Sequence, residues 1–600
     1  MSLEGQWKME SGTPMQNKQK TWRVVSPDAD AVNDLQQQTE MDRLMCSILV
    51  QRNIRTADDV SRFFQPNLRN LHDPFLMKDM DRAVQRVQQA IDNEENILLY
   101  GDYDVDGITS VSLMYTFLGR RYGNLDFYIP DRYKEGYGIS KTGIDYAKAH
   151  DIRLIIAMDC GIKAVEQIAY ARSLGIDVII CDHHLPGEVL PQAAAILDPK
   201  QEACSYPYKE LSGCGITFKL IQAFEQQHNI PIEELTSLLD LVVISIASDI
   251  VPLTGENRIL AYHGLHQLNH THRSGLLALI NQSNLRRPFT IRDIVFGLAP
   301  IINAAGRLAD AELSVRLMLA RNHKVARDYA DILEECNKTR RQYDQETAEE
   351  AERLISDDPS LIERKSLILY QSHWHKGVIG IVASRLAERY HKPTIILTNS
   401  EEGHIVGSAR SVSEFDIYEA IAKSEDILIN YGGHKYAAGM TVAANNLDRF
   451  VQHIEHYVTD HIQPKQQKPE LEITAEVDFT VFRSGFRKFL RKLAPFGPGN
   501  PHPVFLTRNV SDAGFSKSLN GNHLKLAVRQ PGSRIMNGIV FGQADLLKEV
   551  KQKQRMHICY TLQESSGIAG RRYPQMVVKD LRFVEKEQQT EAGSSFPSSA

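Results

Sequence analysis

The sequence is sparing of several features, and each scarcity closes off a class of function. Its seven cysteines form no C-x-x-C pair, so neither a zinc ribbon nor a dithiol redox motif is present. Cys160 and Cys181 fall within or beside apolar strands and read as buried thiols. No apolar run reaches about eighteen residues, the length a membrane-crossing helix needs. The polar start from Met1 to Lys20 lacks the apolar stretch of a secretion signal. Positive charge is not in excess either: the formal net charge is -6, so contact with nucleic acid must come from local basic patches. These absences predict a soluble protein of a reducing compartment, the cytoplasm, without a membrane role.

What is present is ordinary globular composition, 42% apolar and 24% charged. Six hundred residues exceed a single core and predict three or four domains. Residues 1 to 75 read as a mostly helical packing segment. From about 76 to 290 strand and helix alternate, which predicts a parallel sheet with crossover helices. Its strands are expected at Asn96–Tyr100, Asp126–Pro130, Leu154–Met158, Val178–Cys181 and Ala194–Leu197.

The densest chemistry follows the first strand. Residues 101 to 107 read Gly-Asp-Tyr-Asp-Val-Asp-Gly, placing Asp102, Asp104 and Asp106 between a strand end and a helix start. Carboxylates this close repel one another unless a cation lies among them. An acidic surface turn is the plain alternative. A calcium-binding EF-hand is excluded, because its twelfth loop position needs a bidentate Glu and holds Leu113 here. Two further strand ends lead into Asp159 and into Asp182-His183-His184, and Asp249 ends the apolar segment Leu238 to Ala247. A lone Asp after a strand is often a helix cap, and a lone His-His pair is often structural. Together, Asp and His groups without Cys, at the carboxyl ends of parallel strands, favour a hard divalent cation, Mn²⁺ or Mg²⁺. The seven groups at the strand ends, even without Asp249, exceed the needs of one ion and suit two.

These motifs resemble those of the DHH phosphoesterase superfamily, named for the Asp182-His183-His184 triplet. Arg132 to Gly138, Asn303 to Leu308, His375 to Arg385, Gly432-Gly433-His434 and Phe496 to Pro501 resemble signatures of its bacterial RecJ exonuclease branch. The likeness runs from about residue 40 to 585. It implies that Asp104 and Asp159 hold one ion, with Asp102 in the place of a further ligand. Asp106, Asp159, His183 and Asp249 hold a second, Asp159 bridging. His184 contacts phosphate or orients the nucleophile, and Arg132, Arg307 and Arg410 are phosphate clamps. Ser408 and Arg410, with Gly432, Gly433 and His434, grip substrate; Ala409 stands where relatives often carry Gly. The implied activity is 5′ to 3′ degradation of single-stranded DNA to mononucleotides in recombination and repair. The implied partners are a single-strand binding protein and a RecQ-type helicase, around a monomer.

Further along, Asp310 to Asp358 reads as helix broken near Asn322-His323, with a rod from Lys324 to Ser356 on the order of 50 Å long. Its charged middle reads as a solvated bridge. Residues 365 to 462 return to α/β, with small-residue turns expected at Gly407–Ser411 and Gly432–His434. Six short strands after the linker at 463–469, starting at Leu471–Phe479, suggest an OB-fold barrel. Arg483, Arg487, Lys488, Arg491 and Lys492 form a basic cluster at helical spacing, either a solvated face or a groove for single-strand phosphates. The expected division is 1–75 helical, 76–310 catalytic, 311–364 connecting helices, 365–462 DHH-associated domain, 463–586 OB-fold and 587–600 disordered tail. Three alternatives remain. A small-substrate DHH phosphodiesterase, of oligoribonuclease or cyclic-dinucleotide type, shares the metal motifs but usually lacks the OB-like domain. A noncatalytic RecJ-like scaffold would have lost ligands. An ATPase is disfavoured because Ser140 precedes Lys141 where a phosphate loop needs Gly.

Overall fold

A computed structural model describes residues 20–584, apart from 401–402, 413, 520–521, 553–554 and 567–571. The tail expected at 587–600 and the start before residue 20 lie outside the described residues. The chain packs as two compact units, one of residues 58–467 with 493–501, the other of residues up to 57, 468–492 and 502 onward. The N-terminal segment read as 1–75 is therefore divided between them.

In the first unit, five parallel strands run in the order Leu125–Tyr128, Asn96–Gly101, Ile152–Met158, Asp177–Cys181, Ala195–Leu197. Register aligns Leu99 with Ile156 and Ile156 with Ile179. Successive side chains point to opposite faces. Ile97, Leu99, Leu154 and Ile156 therefore enter one core, and Leu98, Tyr100, Ile155 and Ala157 a second. Covered faces on both sides explain why these strands read as unbroken apolar runs. The chain winds outward to opposite sides from Asn96–Gly101, so the order reverses between that strand and Ile152–Met158. Crevices at such a reversal, beyond the strands' carboxyl ends, are where open α/β sheets bind ligands.

The alternation expected to residue 290 stops earlier. The sheet ends at Leu197, and Gly213 to Leu308 is built from helices. Leu239–Ser248 shows why: it is buried on nearly every side, and an apolar run without periodicity does not distinguish a buried helix from a strand.

The connecting rod is a 35-residue helix, His323–Asp357, capped by the Asn322 side chain, which accepts from the N–H groups of Lys324 and Val325. Its ends are not solvated. Ala326, Ala330 and Leu333 belong to the core on one face of the parallel sheet. Ala348, Ala351 and Ile355 pack with Leu367, Leu369 and Val382 in another. Spacings of three and four put each trio on one face of the helix.

Beyond it, a mixed sheet runs Leu428–His434, Ala437–Val442, Ile405–Arg410, Thr394–Asn399, Leu367–Tyr370. The turn expected at Gly407–Ser411 is strand as far as Arg410, and Gly432–His434 is strand as well. Ser408 pairs with Gly439 on one side and Ile396 on the other, and Gly432 pairs with Gly439. Small residues read locally as a turn, but ladders with neighbouring strands decide the backbone here.

The second unit holds a barrel in the order Ala475–Glu476, Val504–Asp512, Met556–Ser566, Arg572–Phe583, Met536–Val540, His523–Arg529, Lys517–Leu519. Pairing of Ser511 with Arg529 joins Val504–Asp512 to His523–Arg529. The strand expected over Leu471–Phe479 is broken. Glu470–Ile473 pairs in parallel with Thr21–Val24, and Ala475–Glu476 joins the barrel. Among the described residues no helix is long and apolar enough to cross a membrane.

Leu333 is fully buried on the long helix. Leu333→Ala should destabilise the first unit by about 2–5 kcal/mol, read as a lower midpoint in chemical denaturation. A loss below about 0.5 kcal/mol, the range of surface substitutions, would show that the helix is not part of that core.

Candidate active site

Four segments deliver side chains to the crevice at the sheet's reversal. Asp104 caps the helix Val105–Leu118, its Oδ1 accepting from the N–H groups of Asp106 at 2.9 Å and Gly107 at 3.2 Å. That cap turns Asp106 inward. Asp106 Oδ2 accepts from Gly213 N–H at 2.7 Å, and its Oδ1 accepts from Cys214 N–H at 2.8 Å and Ser245 Oγ–H at 2.7 Å. The two N–H groups open the helix Gly213–His228, whose N-terminal dipole favours a carboxylate. Gly213 is required by space: a Cβ there would lie 2.7 Å from Asp159 Cβ.

Asp159 follows the Ile152–Met158 strand at φ +62°, a left-handed conformation that costs a non-glycine residue free energy and clusters at functional sites. Asp249 ends the helix Leu239–Ser248. His183 stands among them, its Nε2 3.2 Å from Asp159 Oδ1, 3.6 Å from Asp249 Oδ2 and 3.9 Å from Asp106 Oδ2.

The first residue of the triplet has a different task. Asp182 is buried, its Oδ2 accepting from Ile162 N–H at 2.9 Å and its Oδ1 lying 2.7 Å from His184 Nδ1. It orients His184 and stays out of the cluster. Burial opposes its ionisation, but the His184 hydrogen bond and charge hold it down at about 2. Burial and then the His184 charge push His183 down to about 3, leaving a neutral imidazole suited to metal ligation.

Burial, and after it the neighbouring carboxylates, drive Asp102, Asp159 and Asp249 well above the usual carboxylate range. Asp106 is raised for the same reasons. Asp102 Oδ1, Asp159 Oδ1, His183 Nε2 and Asp249 Oδ2 are buried without a hydrogen-bond partner. Buried polar atoms rarely remain unpaired, and these are all oxygen and imidazole donors. The residues therefore fit a hard divalent cation. Two groups have ligand atoms within 4.8 Å of one another: Asp159, His183 and His184; and Asp106, His183 and Asp249. Sequence reasoning makes Asp159 the shared ligand, whereas by distance His183 belongs to both groups. Asp102 and Asp104 fall in neither.

A basic wall adjoins this cluster. Arg132 lies 4.9 Å over the Tyr103 ring. Arg307 donates to Gly377 O at 3.1 Å, joining the catalytic region to the mixed sheet. Ser408 and Arg410 share one face of their strand, with Arg410 donating to Ser408 Oγ at 3.0 Å and to Ser384 Oγ at 3.1 Å. Burial, then Arg132 and Arg340, push Arg307 down to about 10. Burial and then Arg132 lower Arg410. Guanidiniums thus act on guanidiniums, an arrangement suited to a polyanion. His434 is lowered by burial and then by His184, Lys163 and Arg410, which places the Gly432-Gly433-His434 strand by the triplet.

Sequence reasoning assigned no role to Tyr137, whose Oη–H donates to Asp159 O at 2.9 Å and lies 3.1 Å from His184 Nδ1. Its position inside the Arg132–Gly138 motif was the available signal. Ser245 and the N–H groups of Gly213 and Cys214 were also missed; only the Ser212-Gly213 helix start hinted at them. Arg483, Arg487, Lys488, Arg491 and Lys492 sit on or beside the helix Ser484–Lys492, whose opposite face buries Phe486, Phe489 and Leu490.

Raised carboxylates make metal uptake depend on pH. Asp102, Asp159 and Asp249 hold protons in the folded protein at pH values where the unfolded chain, with carboxylates near 3.9, has lost them. Their contribution to metal-free stability is full below the unfolded value and is lost as pH rises through the folded ones. A cation displaces those protons. The Mn²⁺-induced rise in Tm should be larger at pH 8 than at pH 6, with proton release seen by calorimetry in buffers of different ionisation enthalpy. A shift equal at both pH values without proton release would contradict this.

Residues 96–246 match the DHH family N-terminal domain, 363–460 the DHHA1 domain and 473–580 the RecJ OB domain. The single-stranded-DNA-specific exonuclease RecJ of Bacillus subtilis is 35% identical over 94% of this chain and 71% of its own length. That of Escherichia coli is 31% identical over 90% of this chain and 96% of its own. The crystal structure of Thermus thermophilus RecJ in complex with Mn²⁺ superposes with a TM-score of 0.80 at 26% identity, covering 94% of this chain and 80% of that one. The Mg²⁺ complex gives 0.74 at 25% identity, covering 94% and 79%. With three matched domains in one order and near full-length likeness, the chain belongs to the RecJ family of DHH proteins.

Proposed function

We propose that this protein is a metal-dependent single-stranded-DNA exonuclease that works from the 5′ end and releases mononucleotides. The observation that carries the reading is the set of buried, unpartnered Asp and His ligand atoms beside a wall of guanidiniums. A RecJ name on relatives at 30–35% identity supplies the substrate class.

Two Mn²⁺ or Mg²⁺ ions among Asp102, Asp104, Asp106, Asp159, His183 and Asp249 would lower the pKa of an attacking water and offset charge in an in-line displacement. The chain's own residues do the positioning. Asp104 and Asp106 are fixed by backbone N–H groups. His184, held by Asp182 and beside Tyr137, faces the scissile phosphate or its nucleophile. Arg132, Arg307 and Arg410 take phosphate oxygens, with Ser408 and Arg410 receiving the 5′ end and Gly432, Gly433 and His434 lying along the strand. Arg483, Arg487, Lys488 and Arg491 hold single-strand phosphates. A channel formed by the two α/β regions on either side of the long helix, too narrow for a duplex, would account for single-strand selectivity. The division into 1–75, 76–310, 311–364, 365–462 and 463–586 then separates packing, chemistry, spacing, grip and strand binding. The protein acts in the cytoplasm as a monomer in recombination and repair, with a single-strand binding protein and a RecQ-type helicase. Neither the small-substrate nor the scaffold alternative is favoured by the full-length relatives.

Digestion of 5′-labelled and 3′-labelled single strands with Mn²⁺ tests the reading. The 5′ label should appear at once as mononucleotide, and Asp159→Ala should abolish release. A protein that cleaves dinucleotides but ignores long strands would contradict it. Arg410→Ala should raise KM for a 5′-phosphorylated strand by roughly 10- to 100-fold, the worth of a charge-assisted hydrogen bond. An unchanged KM would remove Arg410 from the grip.

A further inference from the structure

One sequence signature has no part in the site as described. Phe496 to Pro501 lies in the loop Leu493–Pro501, which packs with the catalytic unit although the chain on both sides of it belongs to the barrel unit. Pro498 O accepts from Leu253 N–H at 2.7 Å. Gly499 adopts φ +72°, and a Cβ there would stand 2.9 Å from Thr254 Cγ2 and 3.3 Å from Pro252 Cβ. At Gly497 a Cβ would stand 2.7 Å from Leu253 Cδ1. The loop's own shape is set by Asn500, buried, whose Nδ2 donates to Leu493 O and Pro495 O, both at 2.8 Å.

A second anchor lies just beyond. Buried Arg258 donates to Leu493 O at 3.1 Å and Ala494 O at 2.9 Å, and sits 3.6 Å over the Phe63 ring. Arg258 belongs to the helix Gly255–Asn269, which starts directly after Thr254. The loop therefore grips both the segment 250–254 and the helix that follows it.

That segment begins at Asp249, whose Oδ2 faces His183 at 3.6 Å. Ile250, next in the chain, is at φ +59°, a conformation a β-branched residue keeps only when its surroundings impose it. Further along, Pro252 O accepts from Tyr208 Oη–H at 3.2 Å and Asn257 Nδ2 at 3.1 Å. The catalytic unit thus holds the segment at Pro252, and the loop holds it at Leu253 and Thr254.

We infer that the Leu493–Pro501 loop is a positioning element for the metal ligand Asp249, with Gly499 and Asn500 as its positioning residues. It fixes the Leu253 backbone so that the strained turn at Ile250 presents the Asp249 carboxylate to the cluster. Ligand groups need placement within about 0.5 Å, and a side chain at Gly499 displaces the segment by a comparable amount. This inference rests on the reading of the Asp/His cluster as the metal site.

The test uses the full chain and Mn²⁺ alone, followed by electron paramagnetic resonance of the free ion, with Tm measured without metal and kcat and KM measured on a single-stranded oligonucleotide. Gly499→Ala and Asn500→Ala should weaken Mn²⁺ binding at least tenfold and lower kcat at subsaturating metal, leaving KM within twofold. Raised Mn²⁺ should restore kcat. Gly123→Ala, at a glycine with open space around it, should change neither metal affinity nor KM. Wild-type binding lost in Asp159→Ala checks the metal-site reading separately. If wild type binds Mn²⁺ and both loop variants bind it equally well, whether or not their Tm falls, the loop is only a structural contact and the inference is overturned. A raised KM with unchanged Mn²⁺ affinity overturns it as well.

Discussion

Like-charge repulsion inside a covered crevice is the constraint to which the rest of the molecule answers. Asp106, Asp159 and Asp249 crowd around one imidazole, with Asp102 buried close by. Two carboxylates 4 Å apart repel by roughly 4 kcal/mol even at an effective dielectric of 20. The surroundings meet part of this with the N–H groups of Gly213 and Cys214 and the Ser245 hydroxyl, all directed at Asp106. Asp159, Asp102 and Asp249 each keep an oxygen without any such partner. A divalent cation is the complement this arrangement lacks, and the folded scaffold keeps its donors in place for one.

Much of the scaffold can be understood as the means of holding those groups. The parallel sheet reverses its winding between the strands that carry Asp102 and Asp159, which opens the crevice. Helix starts then serve twice, once where Asp104 caps its helix and once where Gly213 and Cys214 receive Asp106. The long helix carries one apolar face into the catalytic core and another into the core beside the mixed sheet. Its two ends thereby relate the Asp and His cluster to Ser408, Arg410 and His434, and the Arg307 to Gly377 hydrogen bond ties the same two regions together.

The sheet strands were legible in the sequence because buried parallel strands leave unbroken apolar runs, and the Asp and His groups at their ends marked the candidate site. The long helix was legible from a stretch without Gly or Pro. Other features depended on distant chain. Leu239–Ser248 is a helix whose apolar circumference hides its period. Ser408 and Arg410 lie on a strand because of ladders on both sides, Gly439 and Ile396 standing opposite Ser408, which a window of small residues does not reveal. The pairing of Thr21–Val24 with Glu470–Ile473 spans most of the chain. Tyr137 and the Gly213 N–H group escaped notice for a related reason: each acts on a residue distant in sequence, and neither the motif around Tyr137 nor the helix start at Gly213 names that partner.

The most direct measurement is an anomalous difference map from crystals grown with Mn²⁺, recorded near the manganese absorption edge. The account predicts density among Asp106, Asp159, His183 and Asp249, displaced from the Asp182 carboxylate. A crystal with full occupancy of Mn²⁺ elsewhere and no density in this crevice would contradict it.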